Sequence, residues 1–185
     1  MQVKINYFEI EKEDMIVLRE EYNKGIKGTH QTWWQRLLKK EKNVFSSKNV
    51  TGNGTLLRFA LKYLDRYFYR TTNIHEKNHY IELERYSCTR YDETPLKPFI
   101  LHKDDGAMIE HNVNTIIFYL EKSIQGGDLL IEINKKRNFI PIFGGMGIVF
   151  IGSLLHTPTV CSGDGVRECI VVRVERLDSN VTNGN

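Results

Sequence analysis

The stretch His156-Thr-Pro-Thr-Val-Cys-Ser-Gly-Asp-Gly-Val-Arg167 joins two apolar runs, residues 146–151 and 166–176. Its Gly-Asp-Gly segment favours a hairpin, because glycine readily adopts the positive φ angles that tight turns require. We therefore expect the chain to reverse direction here. Arg167 should then lie on the strand adjacent to the one that delivers His156.

Further apolar runs, separated by turn residues, extend back towards residue 79. We interpret these runs as strands at 79–87, 97–103, 113–120, 127–133, 146–151 and 166–176. No helical pattern interrupts them. Many short strands without intervening helices favour an antiparallel sandwich or barrel over a parallel α/β sheet.

The first 75 residues have a different pattern, in which helices dominate. We expect a strand at 3–10, helices at 12–24, from Thr29 and from Thr55, and a polar loop at 43–54. The last helix carries apolar residues at three- and four-residue steps, which is typical of a buried helix face. These residues are Leu57, Ala60, Leu61, Leu64, Tyr67 and Phe68.

The length of 185 residues suits one domain, 1–185. We expect residues 1–75 to form a helical part packed on the sheet, 76–177 the β core, and 178–185 a tail. The three cysteines are expected to be reduced, and no apolar run approaches the ~20 residues of a membrane span. The N-terminus lacks the pattern of a signal peptide, so a cytoplasmic location without membrane contact is expected.

Two histidines and one carboxylate form a candidate metal site. His102 and Asp104 are two apart, so on a strand their side chains point to the same face. His156 ends another apolar run and can supply a third ligand. This donor set is the facial triad of non-haem iron(II) oxygenases, which leaves coordination positions open. The spacing alone is weak, because a lone histidine is more often an exposed or internally satisfied side chain.

Strand parity adds a candidate anion site. Arg167 and Cys169 share one face of their strand, and Thr115 and Tyr119 share one face of another. An inward arginine is a buried charge and needs an anionic partner, and its guanidinium binds a carboxylate in a two-bond fork. Taken separately, Arg167 could be an exposed strand residue and Tyr119 an ordinary core tyrosine.

Residues 80–176 resemble the double-stranded β-helix core of iron(II)- and 2-oxoglutarate-dependent oxygenases, specifically their prolyl-hydroxylase-like branch. About half of the chain is covered, and the order and spacing of the matching segments are specific jointly. These segments are Leu83-Glu-Arg-Tyr86, His102-Lys-Asp104, Thr115-Ile-Ile-Phe-Tyr-Leu120, Gly126-Gly-Asp-Leu-Leu130, Gly147-Ile-Val-Phe150, His156-Thr-Pro-Thr-Val160 and Gly165-Val-Arg167.

The resemblance implies a mainly β fold with α, a jelly-roll core buttressed by N-terminal helices. It implies that His102, Asp104 and His156 bind iron(II). Arg167 and Tyr119 would bind the distal carboxylate of 2-oxoglutarate, and Tyr86 and Thr115 are further candidates for the co-substrate pocket. The cofactors would be iron(II), 2-oxoglutarate and dioxygen, with ascorbate as a further candidate. The implied reaction hydroxylates a C–H bond and releases succinate and CO2.

The branch points to a protein or peptide substrate, most readily a prolyl residue. Loops 88–98 and 105–112 would flank the pocket mouth, and loop 88–98 is a candidate lid. The surplus of basic residues in the N-terminal part keeps nucleic acid open as an alternative substrate. A small-molecule oxygenase, a cupin-like metal protein and a non-catalytic β-helix binding module also stay open.

Overall fold

The computed structural model describes residues 5–26, 44–68, 74–88, 101–104, 112–159 and 161–176. The helices within these ranges are α1 (Lys12–Ile26) and α2 (Gly54–Tyr67). The strands are β1 (Ile5–Glu9), β2 (Val44–Asn49), β3 (Ile74–Cys88), β4 (Asn112–Lys122), β5 (Gln125–Gly126), β6 (Leu129–Ile133), β7 (Lys136–Ile140), β8 (Met146–Ile151), β9 (His156–Pro158), β10 (Cys161–Ser162) and β11 (Gly165–Arg176).

The strands form three antiparallel sheets. The main sheet has six strands in the order β1-β8-β4-β11-β3-β2, a smaller sheet has the order β7-β6-β9, and β10 pairs with β5. Strand β11 lies between β3 and β4 and pairs with both over most of its length. The predicted mainly β, antiparallel fold with N-terminal helices is confirmed.

Both helices pack on one face of the main sheet. Helix α2 begins after Asn53, whose side-chain oxygen accepts hydrogen bonds from the amides of Thr55 and Leu56 at 3.0 Å. This cap satisfies two amides that have no partner within the helix. The apolar residues of α2 and the face of the main sheet that the helices cover form one hydrophobic core. Its fully buried members include Leu18, Tyr22, Leu56, Ala60, Tyr63, Ile81, Leu83, Ile116, Phe118, Ile170, Val172 and Val174.

The other face of the main sheet packs against the smaller sheet. Here the buried residues come from the alternate positions of the same strands, including Ile117 and Tyr119 on β4 and Cys169 and Val171 on β11. The predicted parity of these two strands is therefore correct. It places Arg167 and Tyr119 on the side that faces the smaller sheet.

Three local predictions differ from the structure. Residues 44–49 form strand β2 at the edge of the main sheet, where a loop was expected. An edge strand does not need an apolar alternation, which explains why its polar sequence suggested a loop. The N-terminal part thus contributes β1 and β2 to the main sheet as well as helices. Helix α2 is capped by Asn53, two residues before the predicted start at Thr55.

The third difference concerns the hairpin before Arg167. Strand β9, which carries His156, pairs with β6 in the smaller sheet, whereas β11 pairs with β3 and β4. The predicted adjacency of the two strands is therefore wrong. The chain does turn at Gly163, which has φ of 81°, but the turn leads from β10, which pairs with β5, into β11 of the main sheet.

Several predictions fall outside the described residues: the helix from Thr29 with its two tryptophans, loop 88–98 and its role as a lid, most of strand 97–103, and most of loop 105–112. Within the part of the chain that the structure describes, no helix has the length and apolar character needed to cross a membrane.

Gly147 offers a test of the packing at the β1–β8 edge. Phe8 lies opposite Gly147, and a Cβ at Gly147 would overlap the Phe8 ring. That ring cannot easily move, because it stacks on Tyr63 and Tyr67 with centroids 4.7 Å away. We expect Gly147→Ala to lower the free energy of unfolding by about 1–3 kcal/mol, measured by urea denaturation.

The control is Gly52→Ala, because a Cβ at Gly52 meets no atom within 4 Å. Its free energy of unfolding should stay within about 1 kcal/mol of the parent value. Equal stability of the two variants would show that Phe8 is not held as described.

Candidate metal centre and adjoining cavity

The side chains of His102, Asp104 and His156 meet at the opening between the two sheets. One potential ligand atom from each lies within 4.8 Å of the others. His102 does not lie on a longer strand in the described segment; it forms a single antiparallel bridge with His156, with backbone hydrogen bonds of 3.0 and 2.9 Å. The Asp104 amide donates to the carbonyl of Gly152 at 2.8 Å. Backbone pairing therefore brings together the segments 102–104 and 152–156, which are distant in sequence.

The Asp104 carboxylate is buried and fully engaged. Its Oδ2 accepts a hydrogen bond from the Thr115 hydroxyl at 2.6 Å, and its Oδ1 accepts one from Arg173 Nε at 2.7 Å. Burial by itself would raise the pKa of Asp104, but Arg173, His156 and Thr115 together hold the pKa below its usual value. Asp104 is therefore ionised at neutral pH, as a metal ligand must be.

The two histidines differ in exposure. His156 Nδ1 lies 2.9 Å from the carbonyl of Leu154, so this nitrogen carries the proton and Nε2 is left with its lone pair. Nε2 lies 3.4 Å from Asp104 Oδ2. Burial lowers the pKa of His156, which favours the neutral ring that binds metal. The His102 side chain is 45% exposed, so the cluster opens to solvent on that side.

Arg173 was not identified from the sequence. It lies on the same face of β11 as Arg167, six residues further on, and its Nε donates to Asp104. Its Nη1 also donates to Glu82 Oε2 at 3.3 Å, so the guanidinium is held between two carboxylates. Arg173 is an even number of residues from Arg167, so the two-residue period of a strand places both on one face. Following that face along β11 would have identified Arg173 from the sequence.

A cavity of about 370 Å³, its mouth included, adjoins the cluster and contains His102, His156 and Arg167 in its wall. Arg167 is 3% exposed. Its Nη1 donates to the carbonyl of Gly127 at 3.1 Å, and its guanidinium stacks on the Tyr86 ring at 4.2 Å. Arg167 Nε is buried and has no hydrogen-bond partner among the described residues. A buried unpaired donor on a charged group points to a ligand that supplies the acceptor.

The other predicted pocket residues take different positions. Tyr119 is buried and lines the cavity together with Arg167. Tyr86 lies beneath the Arg167 guanidinium. Thr115 contacts Asp104 through its hydroxyl group. The predicted roles of these three residues in binding a co-substrate stay predictions.

Glu84 is a second residue that sequence reasoning missed. It lines the cavity, and its Oε2 lies 3.6 Å from Arg167 Nη2. The Cys169 thiol lies 3.5 Å from the same oxygen. Burial raises the pKa of Glu84, and the charge of Arg167 opposes this rise. Glu84 lies two residues before Tyr86 on β3, so the two-residue period of a strand could have placed it on the inner face.

Solved structures of oxygenases share this fold. A prolyl-4-hydroxylase from Pseudomonas putida matches with a TM-score of 0.58 and 12% sequence identity, over 96% of this chain and 95% of that protein. The viral collagen prolyl hydroxylase of Paramecium Bursaria Chlorella virus-1, solved with 2-oxoglutarate, matches with a TM-score of 0.52 and 13% identity, over 94% and 96%. The non-haem alpha-ketoglutarate-dependent epimerase SnoN of nogalamycin biosynthesis matches with a TM-score of 0.58 and 13% identity, over 98% of this chain and 86% of that protein.

No protein-family model and no curated protein matches the sequence. At these low identities the structural likeness establishes the fold. The predicted resemblance to 2-oxoglutarate oxygenases, including prolyl hydroxylases, is thereby confirmed at the level of the fold, and so is the jelly-roll core. The His–Asp–His cluster supplies the donor set that the predicted iron(II) needs, and 2-oxoglutarate stays a prediction.

Because Arg173 holds the Asp104 carboxylate, we expect the loss of this contact to weaken metal binding by the cluster. Residues that orient a metal ligand typically change affinity 10- to 100-fold when they are replaced. We expect Arg173→Met, which keeps a flexible unbranched stem but removes the charge and all the donors, to weaken Mn(II) binding by about this factor in calorimetry. Asp104→Ala supplies the baseline without a carboxylate ligand.

The matched control is Arg137→Met, which makes the same change at an exposed arginine of β7. Its Mn(II) affinity should equal that of the parent chain. If Arg173→Met also bound Mn(II) as tightly as the parent, the guanidinium would have no part in positioning Asp104.

Proposed function

We propose that this protein is an iron(II)- and 2-oxoglutarate-dependent oxygenase that hydroxylates a C–H bond. The observation that carries the proposal is the buried Arg167, with its unpartnered Nε, in the wall of the cavity that the His102–Asp104–His156 cluster opens into. A metal site alone would fit many reactions. A metal site that shares a cavity with a buried arginine fits an anionic co-substrate held at both ends.

The three side chains fit iron(II) by their chemistry. Two neutral imidazoles and one carboxylate are the donor set of non-haem iron(II) oxygenases, and three ligands leave room for a chelating co-substrate and dioxygen. His156 offers Nε2 because Leu154 accepts the Nδ1 proton. Asp104 is kept ionised by Arg173 and Thr115. These hydrogen bonds therefore orient the His156 and Asp104 side chains for metal binding, as is usual around catalytic metals.

The remainder of the cavity fits 2-oxoglutarate. The guanidinium of Arg167 can donate charge-assisted hydrogen bonds to a carboxylate, and the nearby Tyr119 hydroxyl can add a neutral donor. Ile117, Leu129 and Val171 supply apolar walls that exclude water. Tyr86 supports the guanidinium from its other face.

Together, iron(II), 2-oxoglutarate and dioxygen would supply the oxidising chemistry, with succinate and CO2 as co-products. The protein's own residues hold and orient these groups. His102, Asp104 and His156 hold the metal, and Arg167 and Tyr119 hold the distal carboxylate. Because His102 is the exposed member of the cluster, we place the approach of the substrate on its side.

We propose a prolyl residue of a protein or peptide as the substrate. Support comes from the two prolyl hydroxylases that share the fold. SnoN, an epimerase of nogalamycin biosynthesis, shows that the fold also serves other reactions. Succinate formation from 2-oxoglutarate, measured with and without prolyl peptides, distinguishes these cases. Peptide-stimulated succinate together with hydroxyproline in the peptide is the expected result.

Arg167 separates a 2-oxoglutarate enzyme from another metal protein. Charge-assisted hydrogen bonds are worth about 1.5–3 kcal/mol each, and a factor of ten in affinity corresponds to about 1.4 kcal/mol. We expect Arg167→Ala to weaken 2-oxoglutarate binding roughly ten- to several hundred-fold in calorimetry with the Mn(II)-loaded protein. Mn(II) affinity should be unchanged, because the metal ligands lie elsewhere in the cavity.

Graded variants sharpen this test. Arg167→Lys should recover only part of the affinity, since an ammonium group cannot form the two-bond fork. Tyr119→Phe should cost less than Arg167→Ala, since it removes a neutral donor. Unchanged 2-oxoglutarate affinity in Arg167→Ala would refute the co-substrate assignment even if the metal site were correct.

A further inference from the structure

The cavity contains a carboxylate of the protein itself, Glu84, which is not among the candidate metal ligands. Glu84 lies diagonally opposite Arg167 across the β3–β11 pair, since Tyr86 is the direct partner of Arg167 and Cys169 that of Glu84. The Glu84 side chain is 18% exposed. It therefore places a negative charge in the wall of the cavity that would bind a dicarboxylate.

A second diagonal pair of glutamate and arginine on the same two strands shows an arginine whose charge is balanced by two carboxylates. Arg173 is held by Glu82 at 3.3 Å and, on its other side, by Asp104 at 2.7 Å. Arg167 has the equivalent neighbour, Glu84, at the longer distance of 3.6 Å, and its Nε has no partner among the described residues. Arg167 thus resembles Arg173 with the second carboxylate missing.

The groups around Glu84 balance the negative charge of its carboxylate only in part. Arg167, Cys169 and Arg173 approach it from β11, Glu82 and Tyr86 flank it on β3, and Tyr119 lies across on β4. Burial raises the pKa of the Cys169 thiol well above its usual value, so this group is a neutral S–H that can donate to Glu84. Among the described residues, Arg167 is then the closest positive charge to Glu84, at 3.6 Å, and it is also the group that a bound dicarboxylate would engage.

On the basis of the proposed function, we infer that Glu84 is a proton-linked counter-ion of the co-substrate pocket: a dicarboxylate that binds Arg167 does so together with protonation of the Glu84 carboxylate. The arriving carboxylate neutralises Arg167 and adds a negative charge close to Glu84. Both changes favour the neutral acid, which takes one proton from solvent and keeps a hydrogen-bonding hydroxyl. Glu84 thereby weakens and tunes co-substrate affinity.

The sign of the pH dependence follows from linkage. If the complex binds one more proton than the free protein, affinity is highest at low pH and falls as pH rises, by up to tenfold per pH unit. An oxo acid without a distal carboxylate does not engage Arg167, so its binding should take up no proton at Glu84. The ligand that contacts Arg167 is therefore the one whose affinity depends on Glu84.

The test is calorimetry of 2-oxoglutarate binding to the protein saturated with Mn(II), between pH 6.5 and 8.5, in buffers of different ionisation enthalpy. We expect the parent protein to take up close to one proton, Glu84→Gln close to none, and Glu84→Gln to bind several-fold more tightly at the upper end of the range. Pyruvate, which lacks the distal carboxylate, should give the same small proton uptake with both proteins.

The matched control is Glu168→Gln, which makes the same change at a largely buried glutamate that is paired with Arg19 and Arg85. It lies on the opposite face of β11 and should behave as the parent does. If Glu84→Gln does not fold, the comparison of 2-oxoglutarate with pyruvate in the parent protein decides the matter.

Equal proton uptake by the parent for 2-oxoglutarate and pyruvate, or equal affinities of parent and Glu84→Gln at all pH values, would overturn the inference and leave the proposed function standing. Failure of both Mn(II)-loaded proteins to bind 2-oxoglutarate at any pH would overturn the two together.

Discussion

The antiparallel pairing of β11 with β3 on one edge and β4 on the other is the constraint on which the rest of the structure depends. In a strand that is paired on both sides, successive side chains must face opposite surfaces of the sheet. Ile170, Val172 and Val174 consequently join the core beneath the helices. Arg167 and Arg173 face the smaller sheet. One strand thus anchors the fold and supplies the two charged residues that organise the cavity.

The two arginines have distinct tasks, set by their neighbours. Arg173 is saturated by Glu82 and Asp104, so it fixes a carboxylate of the protein and helps to keep it ionised. Arg167 is incompletely paired, so it is suited to fix a carboxylate that arrives from outside. Buried charges of this kind contribute little to net stability, because desolvation offsets their attraction. Their value lies in specificity, since each guanidinium accepts a partner only in a defined geometry.

Much of this arrangement could be predicted from local rules. Period-two alternation placed Arg167, Tyr119 and Cys169 on the inner face, and the spacing of His102 and Asp104 identified two candidate metal ligands that the structure brings together with His156. The partner of each strand could not be predicted, because register in a jelly roll depends on crossings between sheets. The turn at Gly163 was recognised, but the sheet into which it leads was not. Edge strand β2 was missed because its residues carry no apolar alternation.

The central claim is that the metal cluster and Arg167 hold a single oxo acid between them. Anaerobic titration of the protein with iron(II) and then with 2-oxoglutarate tests this claim most directly, because chelation of iron(II) by a 2-oxo acid produces visible charge-transfer absorption. We expect this absorption to appear only when both are present, to saturate at one 2-oxoglutarate per chain, and to be lost in His156→Ala. Iron binding without any such absorption at saturating 2-oxoglutarate would contradict it.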